Sequence, residues 1–191
     1  MRIVRTASVT GALGLGLAAL VAFAQGSPAD ASSESKIANA AGAAPAAVSA
    51  AATIVDWPEK EGAESKILRA GDNGWTCMPD DPSTPGSDPI CVDEQSMKWF
   101  EGWLTHTEPK LTSPGLSYML QGGATASSTD PFATTPAAGE DWMTDGPHVM
   151  VLPAQKLDVS AYAKDHHSGL PYVMWAGTPY EHLMIPVSPK S

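Results

Sequence analysis

An α+β fold, with a small and mainly antiparallel sheet, one clear amphipathic helix and one disulfide-closed loop, is what three features of this sequence predict. Short apolar runs bounded by Gly or Pro recur along the second half of the chain. A single helical stripe stands at 93–106, and two cysteines are spaced to close a loop.

The chain opens with "MRIVR", which carries two arginines, and continues into the uncharged run "TASVTGALGLGLAALVAFA". A basic start, an apolar run and small residues at a cleavage point are the pattern of a signal peptide, expected over residues 1–24. Ala22-Phe23-Ala24 fits the cleavage motif, and Ala29-Asp30-Ala31 is a second fit. The expected location is periplasmic or secreted, with no stable membrane insertion after cleavage. Residues 25–51 are mostly Ala, Ser, Gly and Pro, with little apolar area to offset ordering entropy, and read as a flexible tether. Residues 52–191 then form a single globular domain, and all six tryptophans fall within it.

"ATIVDWP" and "SKILRAG" are aliphatic runs closed by Pro or Gly and read as strands. Cys77 and Cys91 flank "CMPDDPSTPGSDPIC", whose prolines, glycine and aspartates exclude regular structure. In an exported chain this pair reads as a disulfide. "DEQSMKWFEGWLTH" follows as the helix, with Asp93 as its cap and Met97, Phe100 and Leu104 on one stripe. His106 suits the negative helix end, and Pro109 prevents continuation.

Four strands are expected at 116–123, 148–153, 171–177 and 182–187, apolar enough to be covered on both faces. The connection at 177–182 is too short for a crossover helix, so the pairing is antiparallel. Between the first two strands, residues 124–147 form a long connection of the kind that carries function.

Charge excludes one class of partner. The chain has 11 Lys+Arg and 21 Asp+Glu, net −10, and losing Arg2 and Arg5 with residues 1–24 takes it to −12. Such a chain repels phosphate backbones, so no nucleic acid is expected.

His148 and His182 each head an apolar run, and if their strands are neighbours the rings converge on one end of the sheet. Imidazoles take zinc or copper, and thioethers at Met119, Met150, Met174 and Met184 suit Cu(I). Met also fills cores, and strand-end hydrogen bonding explains the histidines without metal. From the long loop, Asp130, Glu140, Asp141, Trp142 and Asp145 are the candidate wall of a binding site beside His148. His166 and His167 read as a solvated turn. No G-x-S-x-G, H-E-x-x-H or C-x-x-C is present to name a reaction. Trp75, Trp142, Trp175, Tyr172 and Tyr180, at loops and strand ends, suit a small-molecule or carbohydrate ligand, or simply close a small core.

In order, "NGWTC", "YMLQGG", "TDPFAT", "GEDW", "GPHVMV" and "YVMWAGTPYEHLMIPV" resemble a group of uncharacterised exported bacterial proteins over roughly residues 65–187. The resemblance implies bacterial export and carries no activity, cofactor or residue role. The expected function is a binding or accessory module. The rival is a small metal-dependent or hydrolytic enzyme using His148, His182 and acids of the 124–147 loop.

Overall fold

A computed structural model describes residues 28–60 and 63–187. The expected signal peptide, 1–24, lies outside the described residues. The chain is mixed α/β, and its sheet is larger than expected, with eight strands instead of a small set.

Helix α1 (Pro28–Ala41) and the single turn α2 (Ala46–Ser49) precede strands β1 (Thr53–Val55) and β2 (Ile67–Arg69). Strands β3 (Thr76–Met78) and β4 (Ile90–Val92) flank the disulfide loop, and helix α3 (Glu94–Leu104) follows. The remaining strands are β5 (Gly115–Met119), β6 (Gly123–Thr125), β7 (Met143–Asp145), β8 (His148–Leu152), β9 (Tyr172–Met174) and β10 (His182–Pro186). The main sheet runs β2-β1-β3-β4-β5-β8-β10-β9, while β6 and β7 form a separate antiparallel ribbon. Every neighbouring pair in the main sheet is antiparallel except β1 and β3.

The segment expected to be a tether is helical from residue 28 and packed against the sheet. Ala40, Ala43 and Ala52 are wholly buried and meet Ile54, Cys77 and Cys91. The alanines that supply little apolar area per residue also let a helix approach a sheet closely, and here proximity replaces side-chain bulk. Polar ties fix the arrangement: Lys36 pairs with Asp56 at 2.6 Å, Asn39 accepts from the Asp80 N–H at 2.7 Å, and the Leu120 N–H donates to the Ala43 carbonyl at 2.9 Å.

Cys77 and Cys91 are bonded, at directly opposed positions of β3 and β4. The interior of their loop is irregular, as its prolines require, but its two ends are strands that sequence reading treated as loop.

Asp93 caps α3 as expected, accepting from the Ser96 N–H at 2.8 Å. Its second oxygen accepts from the Leu116 N–H at 2.9 Å, so one carboxylate ties the helix start to β5. Gly115 completes the fit, because a Cβ there would stand 2.6 Å from the Ser96 nitrogen. The helix therefore lies directly on the sheet, with Trp99 turned into the core.

On this face Met150, Leu152, Met174 and Met184 are buried. On the reverse face Val149, Val151, Val173, Leu183 and Ile185 are only half-buried, since the alanine cluster of α1 and the residues after it packs against β1 to β5, with Tyr118 at its edge, and not against β8 to β10. The strands are thus not covered equally on both faces, contrary to their near-continuous apolar sequence.

Candidate functional site

β5, β8, β10 and β9 are consecutive in the sheet, and their register sets a floor of matched side chains. Met119 stands opposite His148, which stands opposite Pro186. One step along, Ser117, Met150, Met184 and Tyr172 form a continuous row across all four strands. A further step brings His182 opposite Met174.

Above this floor lies a cavity of about 620 Å³, roofed by α3 and closed at one side by the 124–147 connection. His148, His182 and Trp142 line it. So do the four methionines singled out in the sequence. Asp130, Glu140 and Asp141 do not: all three are exposed, and Asp130 is engaged in its own turn, accepting from the Phe132 N–H at 2.9 Å. The acid that does reach the cavity from this connection is Asp145, at the end of β7.

The expected convergence of the two histidines is corrected by the strand direction. Each heads its own strand, and because β8 and β10 are antiparallel the heads lie at opposite ends of the ladder. His148 faces Pro186, four residues from His182, a separation of about 13 Å along the strand. The two strand heads therefore do not meet, although both rings line the one cavity. Among the described residues no three or more His, Cys, Asp or Glu are grouped closely enough to hold a metal.

Both imidazoles are instead held by their own main chain, with Nδ1 of His148 2.8 Å from the Gly146 carbonyl and Nδ1 of His182 3.0 Å from that of Tyr180. A carbonyl accepts only, so each Nδ1 carries the proton and Nε2 is the bare acceptor. Burial pushes the pKa of His182 down to about 4, against the raising effect of the Tyr180 carbonyl; the neighbouring charge of His148 lowers it further. His148 is also lowered by burial, against the opposing effects of the Gly146 carbonyl and Asp145. At neutral pH both rings are uncharged. The Nε2 of His148 is buried and has no hydrogen-bond partner among the described residues, and the same is true of the indole N–H of Trp99.

Tyr172 donates to Asp145 at 2.8 Å, and burial, reinforced by that carboxylate, raises the phenol above its ordinary pKa. Asp81 and Asp88 enter the cavity from the disulfide loop. Asp88 is raised by burial and accepts from Thr84 and from the Asp81 N–H.

Aromatic rings dominate the other end. Trp99, Trp175 and Trp103 stack in that order, with centroids 5.9 and 6.0 Å apart and planes within 2° and 19° of parallel. His182 meets Trp99 and Trp175 edge-on, at 5.2 and 5.1 Å. Trp175 and His106 are the described non-glycine residues with positive φ, at 52° and 55°. Such backbone is uncommon for non-glycine residues and clusters at functional sites. Here it turns Trp175 into the indole stack and lays His106 on Phe132 at 4.0 Å.

The closing segment is held by these same indoles. Trp103 Nε1 donates to the Pro131 carbonyl at 2.7 Å, and Trp175 Nε1 donates to that of Ser127 at 2.8 Å. The Trp175 main-chain N–H adds a bond to Ser128 at 2.8 Å. The connection is thus partly ordered by β6 and β7, with residues 127–131 tied to α3 and to the residue after β9, and residues 131–134 lining the cavity.

Sequence reading missed Trp99 and Trp103 as site residues because their four-residue spacing on a helix reads as ordinary core packing. Of the aromatic candidates Trp175 and Trp142 line the cavity, whereas Trp75, Tyr172 and Tyr180 do not. No family model, curated protein or solved structure matches this chain.

Proposed function

We propose that this protein is an exported binding or accessory module that takes a small, largely apolar molecule into the cavity beneath α3. The carrying observation is the cavity itself: about 620 Å³, within the range of small-molecule sites, and lined by five of the six tryptophans of the chain together with four methionines. Methionine adapts its shape to a guest, and indoles supply area at low entropic cost.

Export is supported by the disulfide, which suits an oxidising compartment, and by the signal-like start of the sequence. Among the described residues no helix is long and apolar enough to cross a membrane.

The binding reading is preferred to a hydrolase because neither histidine is oriented by a carboxylate: each Nδ1 is bonded to a main-chain carbonyl. A sugar, which demands many polar partners, matches the lining less well than an aromatic or aliphatic body does. The test is saturable binding of the neutral dye N-phenyl-1-naphthylamine, followed by its emission. Ala124 lines the cavity and is half-buried, so Ala124→Trp should abolish binding while leaving the circular dichroism of the fold unchanged. Absence of a saturable wild-type signal, or undiminished binding by a folded Ala124→Trp, would sink the proposal.

A further inference from the structure

The charge and the aromatic content of the cavity lining, taken together, narrow the guest. Besides five indoles, the lining has the rings of Phe100 and Phe132 and the carboxyl groups of Asp81, Asp88 and Asp145, but no lysine or arginine. A purely apolar guest needs no such bias. Asp88 is buried and Asp81 and Asp145 are half-buried, and although Asp81 Oδ1 accepts from the N–H and hydroxyl of Ser83, these carboxyl groups keep lone pairs free to meet a counter-charge.

The face of an indole carries negative potential and attracts cations, trimethylammonium groups above all, because these shed water cheaply. Three parallel indoles, Trp99, Trp175 and Trp103, stand over one end of the cavity. Asp145 enters from β7 and Asp81 from the disulfide loop. The histidines that line the floor are neutral, since burial lowers both, so they do not oppose a positive guest.

We infer that the ligand of this cavity is an organic cation with an apolar body, the body lying toward the stacked indoles and its quaternary or protonated amine toward Trp142, with the carboxylates of Asp81 and Asp145 as counter-charge. The inference rests on the cavity being a binding site, as proposed above, and adds the sign of the guest. It also gives Asp145 a purpose that its bond to Tyr172 leaves open, because a carboxylate has lone pairs beyond the one that phenol occupies.

The test compares three probes by titration calorimetry on the full disulfide-bonded chain: phenyltrimethylammonium, its neutral carbon isostere tert-butylbenzene, and benzoate. The cation should bind about tenfold or more tighter than the isostere, and benzoate should not bind measurably. Trp142 is half-buried on the closing segment, and Trp142→Leu, which keeps apolar bulk but removes a ring face, should weaken the cation severalfold while leaving the isostere unchanged. Asp145→Asn, with Tyr172 still able to donate to the amide oxygen, should do the same. Equal affinity for cation and isostere would overturn the preference for charge while leaving the cavity a binding site. If N-phenyl-1-naphthylamine also fails to bind, the site itself falls, and the inference with it.

Discussion

His182 should make the protein lose stability as pH falls from about 6.5 toward 4. The ring is wholly inside, edge-on to Trp99 and Trp175, and burial holds its pKa down to about 4. In the unfolded chain the same ring titrates near 6.5. Above that value neither state binds the proton, and burial of the neutral ring costs nothing in linkage. Below it the unfolded state takes up a proton that the folded state refuses, so each pH unit between the two pKa values removes about 1.4 kcal/mol of stability. Across that window the loss is about 3 kcal/mol, a large part of the 5–15 kcal/mol typical of a domain. His148, lowered for the same reason, adds a loss of the same sign. The assay is urea unfolding of wild type and His182→Gln at closely spaced pH values between 7.5 and 4.5. Glutamine keeps a donor for the Tyr180 carbonyl but does not titrate, so His182→Gln is less stable at pH 7.5 and its curve is flatter by nearly one proton. Parallel curves for the two proteins through this window would refute the reasoning, because His182 would then titrate alike in both states.

Three further outcomes follow from the packing. Reduction of Cys77–Cys91, or the Cys77→Ala/Cys91→Ala pair, should cost about 3 kcal/mol, the chain-entropy value for a loop of about 15 residues, read as a lowered urea midpoint. Gly115→Ala should destabilise by about 1–3 kcal/mol, because the added methyl meets the Ser96 backbone and pushes α3 off the sheet; a change below about 0.5 kcal/mol would show that the helix start yields freely. Deleting residues 28–44 should expose Ile54 and the disulfide and lower the melting temperature markedly, whereas a tether would be removed without effect.

How far the sequence foretells this structure depends on where the determining contacts lie. The strands at β5, β8, β9 and β10 are legible because Gly or Pro punctuates short apolar runs, and α3 because Asp93 is a local capping signal, although its buried face is Ser96, Trp99 and Gly102, and Leu104, expected on the apolar stripe, is 66% exposed. α1 is not legible, since its order comes from Ala40 meeting residues that lie far along the chain, including Cys91. β3 and β4 are hidden at three residues each, short enough to pass as the ends of a loop. His148, His182 and Trp142 are site candidates in sequence and in structure alike, yet the relation between the histidines is invisible until strand direction is known. Asp130, Glu140 and Asp141 stand near His148 in sequence, yet all three are exposed and none lines the cavity. Asp145, three residues before His148, is the acid that the ribbon β6–β7 delivers.

The tie on the closing segment has a kinetic consequence. Trp103 belongs to α3 and Trp175 follows β9, so the segment 127–131 is pinned from the roof and from the sheet at once. For a guest that passes this segment, at least one of these indole bonds has to part, and that barrier is met equally on entering and on leaving. Arrival and departure slow together, and affinity is left untouched. Under the binding function proposed above, residence time would be set by two indole N–H groups, while the selectivity of the chamber would be set elsewhere.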